Sequence, residues 1–220
     1  MVTRRVSPMA ECHRPKKACI LLDITNLATD LIGPVNLSIA AGECVAVLGA
    51  SGSGKSLLLR AIADLDPHDG EVSLTGRRCS EMPADEWRRL VALVPAESGW
   101  WSDYVGEHFA SAPDPAALLE AVGLSDAFGW EVARLSTGER HRLAIARALQ
   151  GQPQTLLLDE PTASLDAEAT QHIERLLNQQ LKRGVAVLLV THDHGQARRL
   201  AARSYEMTGG QLVQMAEVEP

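Results

Sequence analysis

Residues 44–65 read "CVAVLGASGSGKSLLLRAIADL". The run "CVAVLG" (44–49) is continuously apolar rather than alternating, the pattern of a strand buried on both faces of a parallel sheet. "GASGSGKS" (49–56) follows at once with the spacing G-x-x-x-x-G-K-S, and "LLLRAIADL" then reads as a helix. Strand, glycine loop and helix in direct succession make a phosphate cradle. Gly49, Gly52 and Gly54 let the chain curl, so that the backbone N–H groups of residues such as Ala50, Ser51 and Ser53 turn toward phosphate oxygens. Lys55 adds a mobile positive charge, Ser56 offers a hydroxyl to Mg²⁺, and Leu57 contributes its backbone N–H. The stretch specifies a bound nucleotide without saying what is done with it.

Two further runs have the same character, "TLLLDE" (155–160) and "VAVLLVTH" (185–192). Between them, residues 166–183 place Ile173, Leu176, Leu177 and Leu181 at helical spacing and stop before Gly184. The expected fold is therefore α/β, a P-loop NTPase of RecA-like type whose mostly parallel sheet is flanked by helices. "ILLDITNL", "GPVNLSIA" and "EVSLTG" read as short strands between turns and predict an N-terminal antiparallel β-subdomain. From about 97 to 150 the strand pattern gives way to Pro113, Pro115, Gly123 and helical runs, and an inserted helical subdomain is expected there.

The two acids that end "TLLLDE" take different roles if side chains alternate to the strand's end. Asp159 is expected to hold Mg²⁺ together with Ser56, and Glu160 to polarise an attacking water. His192, at the end of the third run, is placed to reach a γ-phosphate or that water, because all three strand ends meet at one rim of such a sheet.

Composition limits the alternatives. The 220 residues, 45% of them apolar, suffice for one large domain, and a net charge of −7 argues against a nucleic-acid partner held by phosphate neutralisation. Cys12, Cys19, Cys44 and Cys79 form no C-x-x-C pair, which fits a reducing compartment. No run approaches the ~18 apolar residues of a spanning helix, and the start lacks an apolar signal core. Residues 1–18, with Arg4, Arg5, Arg14, Lys16 and Lys17, are expected to form a disordered basic tail ahead of a domain over 19–220.

"LSTGERHRLAIARAL" (135–149) separates this chain from other P-loop classes. Ser136 and Glu139 make a capping box at a helix start, and Gly138 leaves the helix end bare. Here the chain resembles the ATP-binding cassette (ABC) ATPases, whose "LSGGQ" signature opens a similar helix. The likeness continues in "LLLDEPTASLD", which is similar to the family's D-loop ending at Asp166, and in "VTHD", its switch histidine, over about residues 19–210. This resemblance implies ATP and Mg²⁺ as ligands and a pair of cassettes, as homo- or heterodimer. Ser136, Thr137, Gly138 and Glu139 of one would then close on the P-loop of the other.

The resemblance further implies Glu160 as general base and His192 as γ-phosphate contact; with Lys55, Asp159, Glu160 and His192 all present, an active enzyme of slow turnover, raised by a membrane partner, is expected. It suggests a separate transmembrane permease subunit, with the chain peripheral on the cytoplasmic face of the membrane. Glu97, Trp100 and Trp101, with Tyr104 nearby, then become candidate docking residues. A soluble ABC ATPase of the repair, translation or iron–sulfur assembly type is the competing class, and a P-loop kinase leaves "LSTGE" and "VTHD" unexplained.

Three positions depart from the family pattern. No aromatic or His lies between Ile20 and Leu48 to stack on a base, leaving Leu27 or Leu31 for that place. Leu57 stands where Thr is usual, and "LVPAES" puts Ala96 and Glu97 where a Gln is usual. Thr137 and Glu139 also replace the signature's first Gly and its Gln.

Overall fold

The computed structural model describes residues 20–215, so the basic tail over 1–18 lies outside the described residues. Two sheets share the work. The first is antiparallel, with strands β1 (Ile20–Ala28), β2 (Val35–Ala40), β4 (Asp69–Leu74) and the two-residue β5 (Arg77–Arg78) in the order β2-β1-β4-β5. The second orders its strands β10-β9-β3-β8-β7-β6. Its members are β3 (Cys44–Leu48), β6 (Val91–Val94), β7 (Thr155–Asp159), β8 (Ala186–Val190), β9 (Arg203–Thr208) and β10 (Gln211–Gln214). Strands β9, β3, β8, β7 and β6 run parallel, and β10 alone turns back as a hairpin on β9.

Every residue of β3, β7 and β8 is buried, which is why these strands are continuous apolar runs in the sequence. They are spatial neighbours, and their register is level: Val47 pairs with Val190, which pairs with Asp159. Their carboxyl ends therefore open at one edge, the usual ligand position of a parallel sheet.

Helices cover both faces. Helix α1 (Lys55–Ile62) packs Leu58, Leu59 and Ile62 into a core shared with the antiparallel sheet, and α2 (Ala84–Leu90) adds the wholly buried Trp87, whose Nε1 donates to Ile62 O at 3.0 Å. The opposite core is built by α4 (Thr137–Leu149) and α5 (Ala167–Lys182), with Leu143, Ile145, Ile173 and Leu177 buried against β7 and β8. Helix α6 (His194–Leu200) follows β8 directly. Between β6 and β7 the chain runs out through short 3-10 turns and α3 (Pro115–Ala121) before returning along α4, burying Val105, Phe109 and Leu119.

Some boundaries differ from the sequence reading. The strand read as ending at Glu160 ends at Asp159, because Glu160 takes a left-handed backbone with φ 49. Strict alternation thus stops one residue early, and it does not separate the two acids. The first acid is fixed by the sheet and the second by the turn after it.

Candidate nucleotide site

Helix α1 begins differently from the other α-helices. Asp114, Ser136, Asp166 and Asp193 cap α3, α4, α5 and α6 with side-chain oxygens, and α2 carries Asp85 and Glu86 in its first turn. Helix α1 has Gly54 at its N-cap, no side-chain cap and no acid in its first turn. Its free N–H groups and positive dipole end therefore face the loop uncompensated, an arrangement that suits an anion.

The loop is held open by glycine. Gly49 has φ 145, and a Cβ there would lie 2.4 Å from Met207 O. Gly54 has φ 106, with Ile32 Cγ2 only 2.5 Å from a built Cβ. A side chain at Gly49 would meet the backbone of β9 and one at Gly54 the side chain of Ile32, and both φ values are ones that residues with a Cβ rarely adopt. Lys55 is buried and turns its Nζ onto the carbonyls of Gly49 (2.7 Å) and Ala50 (2.9 Å), so the charge is stored inside the loop it would serve.

A cavity of ≈ 590 Å³ lies above the three strand ends, lined by Gly49–Gly52, Gly54–Leu57, Ala96, Asp159, Glu160 and His192. It gathers residues more than 140 positions apart in the chain. Asp159 is 6% exposed and lines the same cavity as Ser56, so one hydroxyl and one carboxylate offer hard oxygen donors to it. Glu160 is more open; its Oε2 accepts from the backbone N of His192 at 3.3 Å and is 2.8 Å from His192 Nδ1. Ser53 does not line the cavity. Its Oγ is buried without a partner among the described residues and supports Gly49 from behind.

Residues 32–163 match the sequence pattern of the ABC transporter family. The chain belongs to that family. The cassette is 40% identical over 199 residues to the Fe(3+) ions import ATP-binding protein FbpC of Streptomyces coelicolor, covering 84% of this chain and 57% of that protein. It is 34% identical over 216 residues to the phosphate import ATP-binding protein PstB 2 of Natronomonas pharaonis, covering 87% and 76%. It is also 38% identical over 197 residues to the macrolide export ATP-binding/permease protein MacB of Bordetella avium, covering 81% and 30%. The cassette therefore spans between 30% and 57% of the length of several relatives it matches. Among solved structures, a bacterial Atm1-family ABC exporter with ATP bound gives a TM-score of 0.80 at 23% identity, covering 88% of this chain and 38% of that one. CbiO1 from Clostridium perfringens, part of the ABC transporter complex cbiONQ, gives 0.75 at 23% identity, covering 88% and 87%. These two likenesses concern the fold.

The signature residues stand apart from the cavity. None of Ser136, Thr137, Gly138 or Glu139 lines it; at the start of α4 Ser136 and Thr137 are exposed and Gly138 and Glu139 half-buried. Ser136 Oγ and backbone N both donate to Glu139 Oε2 at 2.8 Å, and Glu139 N returns a 3.3 Å bond to Ser136 Oγ. These bonds hold the Glu139 carboxyl below its usual range. Asp166 likewise serves as the N-cap of α5, accepting from Ala169 N at 2.8 Å.

Glu97 and Trp101 are exposed, Trp101 at 69%, while Trp100 is half-buried against the helical core. Arg147 stacks its guanidinium 4.7 Å from the Trp100 ring and 4.8 Å from the Trp101 ring, and donates to Gly99 O at 2.9 Å. Burial lowers the Arg147 pKa. His108, edge-on to both indoles, completes a cluster that the sequence spacing gave no sign of. No helix among the described residues is long and apolar enough to cross a membrane.

Proposed function

We propose that the cassette binds and hydrolyses MgATP as a dimer and drives transport through a separate membrane subunit, lying peripherally on the cytoplasmic face of the membrane. The observation that carries the catalytic part is the single cavity into which the glycine loop, Asp159, Glu160 and His192 all open. In this reading Lys55 leaves the carbonyls of Gly49 and Ala50 for the β- and γ-phosphates, and the free amides of α1 neutralise the rest. Ser56 and Asp159 hold the metal, which when bound neutralises charge developing on the phosphates. Glu160 accepts a proton from the attacking water, and His192 orients that carboxylate through its 2.8 Å hydrogen bond.

The relatives support the transport part, since FbpC and PstB 2 carry the names of import ATP-binding proteins and MacB that of an export protein. Those names differ in direction and cargo, so the reading stops at ATP-driven transport. The exposed Trp101 beside the half-buried Trp100 is then the docking element for the membrane subunit, with Glu97 at its edge. A rigid indole already fixed by Arg147 loses little entropy when covered.

The decisive experiment measures phosphate release and nucleotide binding by the purified chain. Glu160→Gln lowers steady-state turnover about 100-fold or more while ATP still binds. Unchanged turnover would remove Glu160 from the chemistry. The docking reading predicts that Trp101→Ala weakens co-purification with the membrane subunit about ten-fold and leaves ATP affinity as it was. Retrieval of a soluble partner in place of a membrane protein would favour the non-transport class of ABC ATPase.

A further inference from the structure

Two buried polar side chains outside the nucleotide cavity reach into the loop that follows Glu160. That loop, residues 160–166, leaves β7 through consecutive turns in which Ala163 N donates to Glu160 O (3.2 Å) and Leu165 N to Thr162 O (3.0 Å). From one side Gln196 of α6, wholly buried, donates Nε2 to Thr162 Oγ1 at 2.8 Å. From the other His141 of α4, 7% exposed, shares a 2.9 Å hydrogen bond between Nδ1 and Ser164 Oγ.

Neither side chain is fully satisfied. Gln196 Oε1 and His141 Nε2 are buried with no partner among the described residues. Such orphaned atoms cost stability that an apolar side chain of similar size would not. Each residue incurs that cost while making a single side-chain bond, and both bonds end on the same loop. Helix α4 touches the loop at a second point, because a Cβ built on Gly138 would stand 3.0 Å from Ser164 O and 3.2 Å from Leu165 Cδ2.

We infer that His141 and Gln196 are positioning residues that clamp the 160–166 loop between α4 and α6 and so hold the Glu160 carboxylate at the cavity. Glu160 needs such support, because its backbone is left-handed at φ 49 and a residue with a Cβ resists that conformation unless its surroundings impose it. The two clamps also join different ends of the machine. Gln196 lies four positions after His192, on the helix capped by Asp193, and His141 lies one turn beyond the Ser136–Glu139 cap. A partner pressing on the exposed start of α4 thus bears on the loop through His141 and Ser164. The consequence for turnover rests on the ATPase reading; the anchoring of the loop does not.

The test uses the full chain carrying His141→Leu, His141→Asn, Gln196→Leu, Ser164→Ala, or His141→Leu with Ser164→Ala. His141→Leu and Gln196→Leu are expected to lower kcat about ten-fold with KM for ATP changed less than about two-fold, since the carboxylate is displaced and the phosphate cradle is not. His141→Asn, whose shorter amide places a polar atom near the position of Nδ1, recovers most of that loss. The double variant is no worse than His141→Leu alone, as expected for one shared bond. Melting temperature does not fall in His141→Leu, because the orphaned Nε2 is gone.

Amide exchange at Ala163 and Leu165 rises in the two leucine variants and returns to normal in His141→Asn. Unaltered kcat and unaltered exchange in both leucine variants would overturn the clamp. So would an asparagine variant as defective as the leucine one, which points to packing alone. If the wild-type chain fails to hydrolyse ATP under any condition, the functional reading falls, and the exchange measurement still decides whether the loop is clamped.

Discussion

Leu57 belongs to two hollows at once. It lines the phosphate cavity and a groove made by Ala28–Leu31 and Asp66–Asp69, so a nucleotide seated on the glycine loop as proposed above would extend its base past Leu57 toward that groove. Of the two leucines that could meet the base, Leu27 is fully buried in the core and Leu31 is 72% exposed, which leaves Leu31 at the groove. Across from it the fold supplies His68, a ring that sequence reading missed because it arrives from the loop before β4, with Asp69 paired to Ala28. Leu31 attracts the face of any purine and reads neither its edge nor its charge distribution, whereas Thr29, Asp30, Asp66, His68 and Asp69 line the same groove with groups that can. If the base rests on Leu31 alone, ATP and GTP should compete for this site with affinities within about three-fold of each other. Leu31→Tyr should tighten both by about five-fold through base–ring stacking. Competition with a fluorescent nucleotide analogue measures both; a strong preference for ATP in the wild type would mean that the base is read elsewhere.

Helix α4 shows how one element serves both stability and recognition. Its capping box satisfies orphan amides at the helix start, and the loss of such a cap costs about 1 kcal/mol, so Ser136→Ala should lower thermal stability by a few degrees. The bonds from Ser136 favour the ionised carboxylate of Glu139, whose folded pKa lies below its unfolded value. Its contribution is therefore complete above the unfolded value and is lost as pH falls through the lower folded one. Glu139→Gln should accordingly be less stable than the wild type at neutral pH, and the two melting curves should converge once the pH falls below the lowered folded pKa. Convergence at high pH instead would reverse the assignment.

This helix was legible in the sequence because its cap, its apolar stripe and its signature are all local patterns. The glycine loop and the three buried strands were legible for the same reason. Helix α2 was not read, because a seven-residue helix with Trp87 as its one buried side chain carries no periodicity. The β9–β10 hairpin escaped because β10 is mostly exposed, and α6 because seven residues with Gly195 near its start look like a loop. The bonds from His141 and Gln196 span 23 and 34 positions, and the Arg147–Trp101 stack joins α4 to the segment after β6; no spacing encodes such contacts.

At the scale of the whole chain, the phosphate site is assembled on one side only. The cavity is lined by α1, by the ends of β3, β7 and β8 with the residues that follow them, and by the turn after β6, and the residues that resemble the family signature, at the start of α4, are not among its lining. Ser136 does not line the cavity that Lys55 lines, and α4 is packed into the core through Leu143 and Ile145. In the dimer proposed above, a second copy would present its α4 to this cavity, and two-fold symmetry would yield two identical composite sites.

That geometry makes a quantitative prediction. A Lys55→Ala chain has a crippled phosphate loop and an intact α4, whereas a Ser136→Arg chain has the reverse. Each alone should show little turnover, because every site in either dimer contains one defect. In an equal mixture that exchanges freely, about half of the dimers pair one chain of each kind, and each of these holds one wholly intact site out of two. ATPase activity should thus reappear at about a quarter of the wild-type value per chain. The cap loss in Ser136→Arg reduces stability equally before and after mixing, so it cannot produce the recovery. An additive, unrecovered mixture would mean that each cassette completes its own site or pairs with a different chain, and a partner supplied by another gene would then be sought by mixing the Lys55→Ala chain with it.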